Sequence, residues 1–199
     1  MRHKKFKLIA LLLLGFGYMG LHGQTTGTFT DSRDGKVYKT VTIGEQVWMA
    51  ENLAYKPTSG NYWAYDNKAD NIAVYGYLYD WETAKKVCPT GWHLPSDAEW
   101  TQLTDYLGGA SDAGGKLKAV SHWNSPNTGA TNETGFTALS GGSRSYSTFS
   151  DIGTKGYWWS VTEGSLFGPW SRLLYHDSGG VGRLDIGKEL GFSVRCLRD

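Results

Sequence analysis

Two cysteines, Cys88 and Cys196, and the histidines His93, His122 and His176 carry the most reactive side chains in the body of this 199-residue chain. A cysteine pair can form a disulfide, supply a thiolate nucleophile or bind a metal, and the compartment decides which. His93 lies between Trp92 and Leu94 with no Cys, His or carboxylate at metal-ligand spacing, so it reads as a packing or capping residue. His122 and His176 stand isolated among Ser, Trp, Tyr and Asp. No G-x-S-x-G elbow is present. Gly114-Gly115 and Gly141-Gly142 lack the G-x-G-x-x-G spacing of a phosphate-binding turn and read as turn glycines. The stretch from Asp66 to Asn71 offers oxygens to a calcium ion but lacks the spacing, the bidentate Glu and the Gly of an EF-hand, so it reads as a solvated loop. Asp and Glu are plentiful, yet nothing in their spacing pairs two for glycoside hydrolysis. The reading is of a non-catalytic protein without cofactor or metal, a carbohydrate-active enzyme being the third alternative.

Recognition chemistry is better represented. Flat aromatic faces beside amide, carboxylate and Arg groups suit sugar or peptide ligands, the ring stacking on apolar faces and the polar groups fixing orientation. The candidates for exposed ligand contacts are Tyr62, Trp63 and Tyr65 in one long loop, and Trp123 with Asn124 in another. Trp158, Trp159 and Trp170 fall in strand-like runs, which assigns them to the core. With 9 Trp, 12 Tyr and 27 Gly, the chain is too aromatic for low-complexity disorder and spends much of its length in turns and loops packed by large flat side chains.

The elements that must position these groups begin after a leader. Arg2, His3, Lys4, Lys5 and Lys7 precede an apolar run from Leu8 to Phe16, the order of a cleaved secretory signal peptide over residues 1–23, with Gln24 the mature N-terminus, an uncleaved signal-anchor being the alternative. The run is shorter than the roughly 18 to 20 residues that span a bilayer, and no Cys stands at its end for lipoprotein attachment. Four of the 20 Lys and Arg lie in this leader, leaving 16 against 19 Asp and Glu, which argues against nucleic acid as a partner. Residues 24–199 fit a single domain with a full core. In an oxidising compartment Cys88 and Cys196 default to a disulfide, two free buried thiols being the alternative.

Asp31 to Gly35 reads as a turn. Val37 to Ile43 alternates as a strand, Gly44-Glu45 turns the chain, and Gln46 to Ala50 returns as the second arm of a hairpin. Residues 56–74 read as one long polar and aromatic loop. A helix capped by Asp80 ends before Pro89, and a second opens on the capping box Ser96-Asp97-Ala98-Glu99, with Trp100, Leu103 and Leu107 on one face until Gly108. A short third helix falls within Ala110 to Val120. Strand-like runs follow at 156–161, 170–175 and 181–185. A last strand alternates from Phe192 to Cys196, with Phe192, Val194 and Cys196 on one face and Ser193 and Arg195 on the other.

Several blocks carry a resemblance: Gly35 to Gly44, Gln46 to Leu53, Cys88-Pro-Thr-Gly-Trp-His-Leu-Pro-Ser96, Tyr157-Trp-Trp-Ser160 and Gly191-Phe-Ser-Val-Arg-Cys196 resemble the Fibrobacter succinogenes major paralogous domain family, found in exported bacterial proteins. His93 to Trp100, Gly141-Gly142-Ser143 and Gly191 to Arg195 are more distantly similar to formylglycine-generating sulfatase-modifying domains, although Leu139-Ser140 departs from a Leu-Pro pattern. That likeness implies a C-type-lectin-like α+β fold, an antiparallel sheet built from both chain ends with two to three helices and long loops, and a link from the first helix to the last strand that suits Cys88 and Cys196. The oxidase chemistry of that relative uses a pair of late cysteines for copper and thiol chemistry, whereas a staple accounts for both cysteines here. The expected function is a secreted or cell-surface binding or adhesion module for a glycan or a protein partner, the alternative being a structural envelope or fibre component.

Overall fold

A computed structural model describes residues 25–164 and 166–199, so the expected leader and its cleavage site lie outside the described residues. The first element is one that the sequence reading passes over as a polar lead-in: β1 (Thr26–Thr30) pairs antiparallel with β2 (Val37–Ile43). Its β-branched threonines favour extended backbone. The Asp31 to Lys36 turn joins the two strands, the Asp31 N–H donating to the Lys36 carbonyl at 2.9 Å. β2 then turns into β3 (Gln46–Met49), as the alternation predicts.

Residues 56–74 are not one loop. They hold β4 (Tyr62–Trp63), a 3-10 turn (Tyr65–Asn67) and α1 (Asp70–Tyr75). These elements are too short to show periodicity in the sequence, and local bonds hold them, such as that from the Asn71 amide to the Tyr65 carbonyl at 2.8 Å. β5 (Leu78–Tyr79) leads into α2 (Trp81–Val87), whose first turn is capped by the Asp80 carboxylate accepting from the Thr83 N–H at 2.8 Å. β6 (Trp92–His93) precedes α3 (Asp97–Tyr106), which carries the full capping box: the Glu99 N–H donates to the Ser96 hydroxyl at 3.2 Å, and the Ser96 N–H to the Glu99 carboxylate at 2.7 Å.

α4 (Ala113–Leu117) is the short third helix of the sequence reading, making four α-helices in the described residues with α1. Gly114 and Gly115 are not turn glycines. Both are buried inside α4, where a Cβ would strike the carbonyls of Gly180 and Gly129. Glycine is needed there for close backbone approach rather than for a turn.

The remaining strands are β7 (Ser143–Ser145), β8 (Thr148–Ser150), β9 (Lys155–Glu163), β10 (Pro169–Tyr175), β11 (Val181–Asp185), β12 (Phe192–Ser193) and β13 (Leu197–Arg198). One sheet has the order β1-β2-β3-β13-β6, a second β11-β10-β9-β12-β5-β4, and β7 with β8 forms a small ribbon. Pairing is antiparallel except where β12 meets β9. The architecture is therefore α+β, with a sheet that joins strands from both ends of the described chain.

The closing strand differs from its expected form. It is split, β12 lying between β9 and β5 in one sheet and β13 between β3 and β6 in the other. Between them the Val194 carbonyl accepts from the Leu53 N–H at 2.9 Å and the Cys196 carbonyl from the Met49 N–H at 3.0 Å. Both faces of the segment are covered: Ser193 and Arg195 are as buried as Phe192, Val194 and Cys196. Cys196 forms a disulfide with Cys88 at the end of α2, 108 positions earlier, which removes the free-thiol alternative.

Two apolar clusters fill the interior. In one, Phe192 stacks on Tyr157 at 4.7 Å and lies 4.4 Å from Trp159. In the other, Trp48 packs on Trp100 at 4.8 Å and on Phe136 at 5.6 Å. Trp158 and Trp159 are core residues as expected. Trp170 is only half-buried, with the Arg183 guanidinium 3.3 Å over its ring.

Candidate functional site

The five aromatic and amide candidates from the sequence do not form an open platform. Tyr62 meets Tyr77 edge-on at 5.1 Å, and Trp63 lies under the Arg144 guanidinium at 3.9 Å. Tyr65, expected to be exposed, is buried and packs against Phe149 at 5.3 Å. Its place in a 3-10 turn rather than a free loop is the physical reason. Trp123 and Asn124 pack on other neighbours: the Trp123 indole donates to the Ala138 carbonyl at 2.9 Å, and the Asn124 N–H to the Gly153 carbonyl at 2.7 Å. Asn124 itself is exposed.

The groups with titratable chemistry are tied into the scaffold. His93 is bracketed by two carboxylates that sequence spacing did not reveal, Asp199 at 2.7 Å from Nδ1 and Glu99 at 3.0 Å from Nε2. Burial alone would lower the His93 pKa, but the bonds to Asp199 and Glu99 outweigh it and the net shift is upward. Asp97, at the start of α3, accepts from Arg172 at 2.6 Å and from Arg183 at 2.8 Å. Burial would raise its pKa, and the two guanidinium groups reverse this and hold it below the usual carboxylate range.

Among the described residues, Lys118 and Arg195 are fully buried without a carboxylate in bonding range. Lys118 Nζ donates to the carbonyls of Thr128, Tyr175 and Ser178 at 2.9 to 3.0 Å. Arg195 donates to the Asn52 side-chain oxygen and to the carbonyls of Met49, Phe136 and Thr137. Burial brings the Arg195 pKa down to about 9, still above neutral, so it remains charged at pH 7. Among the described residues no group of three or more His, Cys, Asp or Glu is placed to hold a metal ion.

An accessible ring is found on α3 instead. Gln102 and Tyr106 are one helical turn apart at i, i+4, both exposed, so they share the outer face of the helix. The β2–β3 turn lies against them. Gly44 has φ +60°, and a Cβ there would come within 3.1 to 3.3 Å of three Tyr106 ring carbons. Glycine thus satisfies the turn and lets the ring rest on its backbone. The result is a cleft of about 280 Å³ lined by Ile43, Gly44, Glu45, Gln46, Gln102 and Tyr106.

Gln46 is fixed beneath this cleft, its amide donating to the Glu99 carbonyl at 3.0 Å and its oxygen accepting from the Trp48 indole at 3.2 Å. Tyr106 remains 57% exposed. An aromatic face beside an amide and a carboxylate is the constellation that stacks on a sugar ring and bonds its hydroxyls. Sequence reasoning assigned the buried face of α3 and left its outer face unexamined, although the Gln102 and Tyr106 spacing was readable.

A second cleft, of about 420 Å³, lies between the 55–61 loop and α2. Its aromatic face is already covered, because the Arg33 guanidinium sits 3.7 Å over Tyr55. Arg33 is in turn committed to Asp31 at 2.6 Å and to the Val87 carbonyl at 2.9 Å. Asp80 caps α2 and accepts from the Asn61 amide at 2.7 Å. This cleft is polar but internally satisfied, and it suits a stacking ligand less well.

No helix among the described residues is long and apolar enough to cross a membrane. No curated protein and no solved structure matches the chain. The model of the Fibrobacter succinogenes major domain matches residues 41–198, which contain both sheets except for β1 and the start of β2, all four helices and both cysteines, and the chain belongs to that family.

Proposed function

We propose that this protein is an exported, non-catalytic binding module with a C-type-lectin-like fold, and that its ligand is a glycan held in the cleft between the β2–β3 turn and α3. The observation that carries the reading is the exposed Tyr106 ring, seated on Gly44 and flanked by Gln102 and Glu45. A sugar stacks its apolar face on the ring while the Gln102 amide and the Glu45 carboxylate bond its hydroxyls. Export is supported by the basic and apolar leader and by the disulfide. The non-catalytic reading is supported by the engagement of His93, Asp97 and Glu99 in pairs that cap and clamp α3. The fold proposal is supported by the sheet that joins both chain ends and by the staple from α2 to the closing segment.

The test is a glycan array followed by titration calorimetry of the hits. Binding tighter than about 1 mM that is lost in Tyr106→Ala and weakened in Gln102→Ala is the expected result. An array without a hit, or binding unchanged by Tyr106→Ala, overturns the site.

A further inference from the structure

β1 is an edge of the five-stranded sheet, with β2 on one side and, among the described residues, no strand on the other. The Thr25 carbonyl accepts from the Thr42 N–H at 2.9 Å, which sets the alternation of the antiparallel ladder. Gly27 and Phe29 therefore bond to β2, and Thr26, Thr28 and Thr30 turn their N–H and C=O groups to the open edge. The same three threonines are exposed, while Phe29 is half-buried against Trp92 at 5.1 Å. Natural edge strands are blunted by lysine, proline or a bulge. β1, with the sequence Thr-Gly-Thr-Phe-Thr, has none of these and pairs with β2 in continuous register.

The outward pattern is symmetric about Thr28. If β1 meets an antiparallel copy of itself, Thr28 faces Thr28 of the second copy and Thr26 faces Thr30, so threonine meets threonine at every outward position. Such cross-strand pairs are favourable, and no like charges oppose one another across the axis. A partner of different sequence gains nothing from this symmetry, because the edge offers no charge or pocket to read it. We propose that β1 pairs with β1 of a second copy of this chain, joining two five-stranded sheets into one across a two-fold axis. The contact is small, so the dimer is weak. This pairing does not depend on the glycan reading.

Sedimentation equilibrium of the purified protein from about 10 µM to about 1 mM tests it. Thr28→Lys sets two ammonium groups face to face on the axis and is expected to weaken the dimer at least ~tenfold, with recovery in high salt. Thr28→Val keeps strand propensity and is expected to dimerise like the parent. Thr28 is exposed, and far-UV circular dichroism verifies that each variant is folded. A parent protein that is monomeric at 1 mM, or a Thr28→Lys variant that dimerises as the parent does, overturns the proposal.

Discussion

Arg195 donates to the Asn52 side-chain oxygen from both Nη2 and Nε, at 2.8 and 3.2 Å, across 143 positions of sequence. The Trp158 indole donates to the same oxygen at 2.9 Å. One amide oxygen thus accepts from three buried donors and locks the closing segment to the stretch after β3 and to β9. Asn52→Leu leaves Arg195 and the Trp158 indole short of their shared acceptor and is expected to lower stability by about 2 to 3 kcal/mol. In urea denaturation the double variant Asn52→Leu with Arg195→Met is expected to lose less than the sum of the two single losses, since the partners act together.

Replacing both Cys88 and Cys196 with alanine is expected to remove about 4 kcal/mol, because the link closes a loop of 108 positions in the unfolded chain. Dithiothreitol then destabilises the parent by a similar amount and leaves the variant unaffected. Calorimetric scans with and without reductant provide the check.

His93 supplies a pH dependence on the alkaline side. Its pKa is raised in the folded state, so its contribution is fully present below the ordinary histidine pKa and is lost as pH rises through the folded value. In Asp199→Asn the titration midpoint of the His93 ring, followed by NMR, is expected to move down. A midpoint unchanged by that substitution contradicts the bracketed geometry.

Asp97 and Glu99 act on the acid side. Both are held below their ordinary pKa. For Asp97, burial opposes the shift and the two arginines produce it; for Glu99, burial is outweighed by Ser96 and His93. Their stabilisation is present above the ordinary carboxylate pKa and is lost as pH falls through the lowered values. Asp97→Asn leaves the nearly buried Arg172 without its counter-charge and is expected to cost about 3 kcal/mol at pH 7. It also flattens the acid limb of a stability-against-pH profile.

At the cleft, Tyr106→Ala is expected to change stability by less than about 0.5 kcal/mol, as for other exposed positions, while abolishing glycan binding. Gly44→Ala forces a side chain into positive φ and against the ring, so it is expected to cost about 1 kcal/mol and also to weaken binding. Thermal shift and calorimetric titration separate the two effects.

The parts of the fold legible from residues alone are those governed by local rules. The capping box at Ser96, the Asp80 cap, the β2–β3 hairpin and the strands β9, β10 and β11 all follow from spacing over a few residues. What escaped has one of two causes. β1, β4 and α1 are too short or too polar to show a period, and their form is decided by neighbours such as β2 and β5. The bracketing of His93 by Asp199, the carbonyl cage of Lys118 and the glycine contacts of α4 join positions far apart in sequence, which no local pattern encodes. The candidate site has the same character: the Gln102 and Tyr106 pair was visible on α3, but its meeting with the Gly44 turn is a tertiary event.

The segment from Phe192 to Arg198 supplies an interior strand to each of the two sheets, β12 to one and β13 to the other. Neither sheet can melt while the other persists, because losing this segment empties a middle position in both. The molecule should therefore open in one all-or-none step, with the slowest hydrogen exchange shared by the interior strands of both sheets rather than confined to one of them.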